Sequence, residues 1–277
     1  MWDKRMFMDG IGGLDLGYGN KKSINLVTDL NGTIGNGTLT GENADAFQRL
    51  VNRGINVIPA TSYSLASAFE TYFSRLSVKP NILIVERGNA IAVERGNANI
   101  ISRFAKAGFR NERADEYGYI EYVFGDDNEE LSRKVLDVSK ELGISIGIAP
   151  MYGCSAAIKI MFDENKTSSR QLEDRMDKLG ISMHRNGQGT ATLVDDRFNK
   201  WTSYLELVSK GIIDDGFLIG IGNDLNDVQL LNHSDISILV GRKINPSRLA
   251  KEASYKFEGP WEWHKVESII ERLLHNK

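Results

Sequence analysis

The sequence has a single cysteine, Cys154, which excludes an internal disulfide framework and any multi-cysteine metal site. A lone thiol fits a reducing cytoplasm. The four histidines, His184, His233, His264 and His275, lack the spacing of a metal motif such as HExxH. They are expected at the surface or at helix ends, with His184 the one placed to face a ligand. No run approaches the roughly 18 apolar residues of a transmembrane helix. The glycine-rich start, residues 1–22, lacks the apolar centre of a signal peptide. Neither sign of charge is in excess: 34 basic against 37 acidic residues leave a formal net of −3, and no nucleic-acid partner is expected. What remains is a soluble, cytoplasmic chain with no expected membrane partner. Its 277 residues, 41% of them hydrophobic, suffice for a substantial core.

Residues 1–22 are expected to form a loosely ordered arm. From Ser23 the pattern becomes regular. SINLVTDL is a short apolar run that ends near an aspartate and enters the turn-rich NGTIGNGT, as a buried parallel strand should. GENADAFQRLVNRG follows with apolar residues at helical spacing and a stop at Gly54. INVIPATS predicts a second strand and loop, LASAFETYFSRL a helix, and the VERGNA repeat at 85–90 and 93–98 a hairpin. The middle of the chain changes character. YGYIEYVFG, a helix around NEELSRKVLDVSKELG, AAIKIMF, a helix around SSRQLEDRMDKLG, then GISMH and TATLV predict an α+β insert on an antiparallel sheet. Asp126 and Asp127 are expected to cap its first helix, and Asp195 and Asp196 to form a solvated turn. From Lys200 the α/β alternation returns, and VESIIERLL closes the chain as an amphipathic helix. The expected fold class is α/β. A mostly parallel sheet forms a core of residues 23–110 and 196–277, carrying an inserted cap of residues 111–195.

Four clusters fall at the ends of the core strands, where an open α/β sheet places its ligands. They are Asp29-Leu30-Asn31-Gly32-Thr33, then Thr61-Ser62, then Lys200, then Gly222-Asn223-Asp224-Leu225-Asn226-Asp227. Singly, Asp29 and Asp227 fit plain turns, Thr61-Ser62 a helix cap and Lys200 a solvated helix residue. In this order, each after its proper element, they resemble the four motifs of the haloacid dehalogenase (HAD) superfamily, with its Rossmann-like core and inserted cap.

That resemblance implies a chemistry. A carboxylate nucleophile at Asp29 takes the phosphoryl group of a small phosphorylated substrate and splits the hydrolysis into two steps. Mg²⁺ bridges carboxylate and phosphate, which otherwise repel. Its implied ligands are Asp29, the Asn31 carbonyl and side chains among Asn223, Asp224 and Asp227, all hard oxygens. Thr61, Ser62 and Lys200 would hold the phosphoryl oxygens, Lys200 with a fixed positive charge. Asp227 would hold Lys200 or the water shell of the metal.

Two positions depart from the superfamily pattern. Asn31 stands where its phosphatases carry the aspartate that protonates the leaving oxygen, help typically worth about 10²–10⁴-fold. Asn223 stands at a usual metal-binding aspartate, with Asp224 one residue along as the nearest replacement. The position of the cap, between the second and third motifs, and the xND ending of the fourth resemble the Cof-like branch. The compact cap and the tail Glu258-Gly259-Pro260-Trp261-Glu262-Trp263 resemble the mannosyl-3-phosphoglycerate phosphatase family, although Thr61-Ser62-Tyr63 and Trp201 differ from it. A cap of that kind would contact the organic part of the substrate, and Arg185, Gln188 and Thr190 are the candidates; a plain hairpin turn is the alternative. Two functions stand open. One is a Mg²⁺-dependent phosphatase acting on a phosphorylated sugar or glycosyl-phosphoglycerate through an aspartyl phosphate. The other is a catalytically impaired relative that binds a phosphometabolite or a protein partner without turnover.

Overall fold

A computed structural model describes residues 23–109, 113–164, 169–241, 244 and 249–275. The arm expected at 1–22 lies outside the described residues. The core opens with β1 (Ile24–Thr28), α1 (Gly41–Asn52), β2 (Asn56–Pro59), α2 (Leu65–Ala68), β3 (Ile82–Val85), β4 (Ala90–Glu94), α3 (Ala98–Lys106), β5 (Arg113–Ala114) and β6 (Tyr119–Val123). Next come α4 (Asn128–Leu142), β7 (Ile146–Pro150), β8 (Ile158–Phe162), α5 (Ser169–Lys178), β9 (Ile181–Gly187) and β10 (Thr190–Asp195). The chain returns through α6 (Lys200–Ser209), β11 (Phe217–Gly222), α7 (Val228–His233), β12 (Ile236–Val240), β13 (Tyr255–Phe257) and α8 (Lys265–His275).

Short apolar strands buried on both faces need cover above and below. The parallel sheet, in the order β13-β12-β11-β1-β2, has it. Phe47, Phe73, Trp263 and Ile269 pack on one side, and Val27, Ile84, Phe104 and Tyr204 belong to the cluster on the other. Trp263, from the tail motif, is fully buried, and its Nε1 donates to Thr28 Oγ1 at 3.1 Å, tying the tail beneath β1. The VERGNA repeat forms the β3–β4 hairpin, joined to the edge of the parallel sheet by an Ala60–Ile84 bridge. β6, which falls within the expected cap span of 111–195, pairs with β4 and so extends the core. Its Tyr122 stacks on Phe104 of α3 at 4.3 Å, apolar cover that the insert does not provide.

The helix expected from Leu65 onward is not uniform. α2 ends at Ala68 and runs into a π-helical turn, Phe69–Phe73, in which Ser74 N–H donates to Phe69 C=O at 2.9 Å. The wider turn re-aims the side chains that follow it. Tyr72 now reaches the loop after β1.

The insert is an antiparallel sheet, β7-β8-β10-β9, with α4 and α5 on one face. Alternation sorts its residues. Ile158, Ile160, Met183, Ala191 and Leu193 pack beneath the helices with Leu131, Val135, Leu172 and Met176. Ala149, Lys159, Thr192 and His184 lie side by side on the other face, from which His184 comes within electrostatic range of Arg87 of the core. The two connections to the core are pinned together. Asp126 N–H donates to Asp195 Oδ2 at 3.0 Å, and Arg197 ion-pairs with both Asp195 and Asp126. Asp195 is therefore a buried junction and not the solvated turn its sequence suggests. Burial alone would raise its pKa, but the Arg197 hydrogen bonds and charge outweigh this and hold the carboxyl below its ordinary value. Asp127 does cap α4, accepting from Glu130 N–H at 2.8 Å. Among the described residues, no helix is long and apolar enough to cross a membrane.

Candidate active site

The strands β1, β2 and β11 all end on the same side of the sheet, and the loops after them meet there. After β1 the backbone turns sharply. Thr33, Ile34 and Gly35 N–H groups all point at Leu30 C=O, and Gly32 takes a left-handed φ of 77° that favours glycine. Asp29 is thereby left at the strand tip with little exposure. Thr33 donates to its Oδ2 at 2.9 Å, and Lys200 Nζ to its Oδ1 at 2.5 Å.

Lys200 is aimed by its own helix start. Asn199 Oδ1 accepts from Trp201 and Thr202 N–H at 2.9 and 3.1 Å, and Thr202 Oγ1 accepts from Asn199 N–H at 2.8 Å. This capping box fixes the first turn of α6. Lys200 also donates to Asp227 Oδ1 at 2.6 Å, so it bridges two carboxylates inside the protein. Burial by itself would lower the pKa of the ammonium; the charges of Asp227 and Asp29 outweigh this and raise it. Burial raises the Asp29 carboxyl, with Lys200 opposing and Asp227 adding to the shift. The balance differs because one lysine serves two carboxylates.

Asp227, expected among the metal ligands, has both oxygens occupied otherwise. Its Oδ2 accepts from Asn223 and Asp224 N–H at 2.9 and 3.0 Å, which shapes the fourth loop, while Oδ1 holds Lys200. Asn223 Nδ2 donates to Asn31 C=O at 3.1 Å, bringing the first and fourth motifs into contact. Asp224 caps the next turn through Leu225 N–H at 2.7 Å and stands exposed at the lip. Thr61 and Ser62 do not cap α2; Ser64 does. Thr61 Oγ1 accepts from Tyr63 N–H, and Ser62 Oγ accepts from Asn226 Nδ2 at 3.0 Å. The side chains Asp29, Asn31, Thr61, Ser62, Asn223 and Asp224, with Tyr63 and Asn226, line one cleft of about 120 Å³. A larger cavity, about 390 Å³ between β6 and the β7–β8 loop, holds none of the four motifs.

The cap candidates fall elsewhere. Arg185 lies in register with Ala191, so it projects from the helix side of the cap sheet, where it meets Glu164 at 3.3 Å. Gln188 sits exposed in the hairpin turn, and Thr190 lies next to it at the tip. Their polar, glycine-rich pattern belongs to the turn. Four further residues had no role assigned from the sequence. Tyr72 donates to Asn31 Oδ1 at 3.2 Å, and Asn226 links the second and fourth loops. The other two are Glu86 and Arg87, both left-handed at φ 51° and 61°, a conformation that costs roughly 1–2 kcal/mol per residue. Asn226 stood within the fourth motif, and the VERG repeat showed a turn without showing its strain.

Tertiary contacts hold that turn. Glu86 N–H donates to Tyr63 C=O at 2.9 Å, and Arg87 N–H to Thr61 C=O at 3.0 Å. A Cβ on Gly88 would come within 2.4 Å of the Asn199 backbone. The Glu86 carboxyl then grips the cap: its oxygens accept from Ser155 and Ala156 N–H at 2.8 and 2.7 Å, while Ser155 Oγ donates to Glu121 at 2.5 Å. Burial first, and the charge of Glu121 second, push the Glu86 carboxyl up to about 8.

Among the described residues, no three His, Cys, Asp or Glu side chains are grouped to hold a metal. Asp29, the Asn31 carbonyl, the Asn223 amide and Asp224 at the lip still offer oxygens around one cleft. Such a set fits a hard cation that also leans on phosphate oxygens and water, as Mg²⁺ does.

Residues 132–255 match the haloacid dehalogenase-like hydrolase family. No curated protein matches the chain. Among solved structures, a haloacid dehalogenase-like hydrolase from B. subtilis is similar at 13% identity and a TM-score of 0.59, covering 91% of this chain and 99% of its own. A haloacid dehalogenase-like hydrolase from Bacteroides thetaiotaomicron gives 18% identity, a TM-score of 0.54 and coverage of 91% and 100%. A phosphatase of the HAD superfamily from the same organism gives 14%, 0.52, and 90% and 94%. The fold of this chain is that of the haloacid dehalogenase-like hydrolases, and the family match runs from within α4 to the first residue of β13.

Proposed function

We propose that this chain, built on a haloacid dehalogenase-like hydrolase fold, is a phosphomonoester hydrolase in which Asp29 is the nucleophile. The observation that carries the reading is the Asp29–Lys200–Asp227 bridge at the mouth of β1. Residues from three distant segments converge there, and nothing in the packing of the core requires a buried lysine between two acids.

In this reading the Asp29 oxygen attacks the phosphorus, the P–O bond to the alcohol breaks, and a phosphoryl–aspartate ester forms. Water then attacks that phosphorus and releases inorganic phosphate and the Asp29 carboxylate. Lys200 holds positive charge beside the equatorial oxygens throughout. Thr61 and Ser62 line the opposite wall. A Mg²⁺ ion, held by Asp29, the Asn31 carbonyl and Asn223 or Asp224, would supply charge neutralisation between carboxylate and phosphate. Asn31 cannot pass a proton near neutral pH, so turnover is slow with substrates whose leaving alcohol is basic. A phosphorylated sugar or glycosyl-phosphoglycerate is the substrate class we favour, because the face of the insert sheet opposite its helices bears the polar side chains Lys159, His184 and Thr192.

Asn31 also supports the second reading, a phosphometabolite-binding relative without turnover. A screen of phosphomonoesters with and without Mg²⁺, run on the natural sequence and on Asn31→Asp, separates the two. We expect slow release from the former and a gain of about 10²–10⁴-fold in the variant. An inert natural sequence beside an active Asn31→Asp protein would establish the binding reading. Inertness of both would refute the hydrolase proposal.

A further inference from the structure

The cleft around Asp29 is about 120 Å³, below the roughly 300–1,000 Å³ of small-ligand pockets. It takes the phosphoryl group, and the organic part of a substrate must extend toward the cap. The groups waiting in that direction are few. From the cap come His184, Thr192 and Lys159, neighbours in register on the sheet face opposite the cap helices. From the core comes Arg87.

We propose that Arg87 is a specificity-determining residue that binds a second anionic group, a carboxylate or a second phosphate, on the leaving alcohol of the substrate. The position is built. The peptide N–H of Arg87 is fastened to Thr61 C=O, one residue from Ser62 and at the wall of the cleft. Gly88 packs against Asn199, the cap of the Lys200 helix. Glu86 holds Ser155 and Ala156 of the insert, so the same turn that carries Arg87 also fixes the cap. The left-handed backbone at Arg87 is not needed to close a β3–β4 hairpin, for which glycine or asparagine serves better. Strain of this kind is found where a side chain must be presented to a ligand. Arg87 is partly buried and lies within electrostatic range of Asp224 on the fourth loop and of His184 on the cap. Burial, with the charge of Arg87 second, depresses the His184 pKa to about 4, so the imidazole is neutral and does not compete for an anion. Two side chains within electrostatic range of one another, one a planar fork of donors from the core and one a neutral ring from the insert, suit a second oxyanion better than an uncharged sugar face.

This inference deepens the hydrolase reading and rests on it for the placement of the phosphoryl group. The test uses the full chain and two matched pairs of compounds. Glycerol 3-phosphate and 3-phosphoglycerate differ by a carboxylate; fructose 6-phosphate and fructose 1,6-bisphosphate differ by a second phosphate. Phosphate release should favour the doubly anionic member of at least one pair, and which pair it is identifies the source of the anion. Arg87→Asn suits the left-handed backbone and so keeps the fold. It should lower kcat/KM for the favoured compound about 10–100-fold more than for its partner, chiefly through KM, with Arg87→Lys between. Equal losses for both members, or no preference in the natural sequence, would overturn the proposal. If no ester is hydrolysed, the hydrolase reading fails by itself. Calorimetric titration with the same pairs then decides: a Kd preference lost in Arg87→Asn supports the anion site, and equal Kd values overturn it.

Discussion

Two pairs of buried carboxyl groups lie close together in this molecule, and they are neutralised in opposite ways. Asp29 and Asp227 have a lysine between them, at 2.5 and 2.6 Å. Glu86 and Glu121 hydrogen-bond to each other, and the Glu86 pKa rises to about 8, through burial above all and then through the charge of its neighbour. A lysine bridges the first pair, and its charge opposes the rise that burial imposes on Asp29. A proton keeps the second pair together, and a proton can leave. The first pair is suited to chemistry and the second to holding the cap by Ser155 and Ala156.

Removing the cation tests the contrast hardest. Lys200→Met leaves two buried acids facing each other, and breaking a buried pair in this way costs about 3–5 kcal/mol. Urea denaturation should show that loss, with much of it recovered in the Lys200→Met, Asp227→Asn double variant. A loss below about 1 kcal/mol would mean that the bridge is not what balances the site.

Glu86→Ala comes next. It strips the Ser155 and Ala156 N–H groups of their acceptor, a cost of roughly 1–3 kcal/mol. Amide hydrogen exchange should accelerate first at Ser155 and Ala156, ahead of the sheet beneath α4 and α5.

The pH dependence sharpens the difference further. The folded pKa of Glu86 stands above the ordinary 4.5 of an unfolded chain, so the folded state binds the extra proton. The contribution of this pair to stability is therefore fully present below about pH 4.5 and is lost progressively as pH rises toward about 8. Glu121→Gln can donate to an ionised Glu86 and still accept from Ser155, removing the need for a shared proton. Melting curves from pH 5 to pH 8 should show a flatter slope in this variant than in the natural sequence. An unchanged slope would place the titration elsewhere. The smallest effect is expected at the far side of the cap: Arg185→Ala should alter stability by about 0.5 kcal/mol or less and leave KM alone, because its ion pair with Glu164 is exposed.

Much of the core was legible because its signals are local. A strand that ends in an aspartate, a glycine stop at Gly54, and a capping Asp127 each act within a few residues. Periodicity also read the insert as α+β, since alternating strands beside long amphipathic helices leave few choices. What stayed hidden depends on distant partners. The sequence does not show that Asp227 spends both oxygens on Lys200 and two backbone amides. Asp195 looks like a solvated turn until Arg197 folds back on it and Asp126 arrives from 69 residues away. Tyr72 reaches Asn31 only because a π-helical turn interrupts a helix whose composition gives no warning. β6 reads as part of the insert because its pairing with β4 is a tertiary fact.

Arg185 and Arg87 show the same limit from the other direction. An arginine beside the polar, glycine-rich turn of the cap looked the better substrate contact, but strand parity turns it away. The arginine inside a repeated hairpin sequence looked incidental, and the fold sets it beside the cleft.

Steady-state phosphate release by Asp29→Asn beside the natural sequence tests the account most directly, with circular dichroism confirming that both are folded. A covalent role for Asp29 predicts a drop of about 10³-fold or more with every ester that the natural sequence turns over. Undiminished release by Asp29→Asn would contradict it.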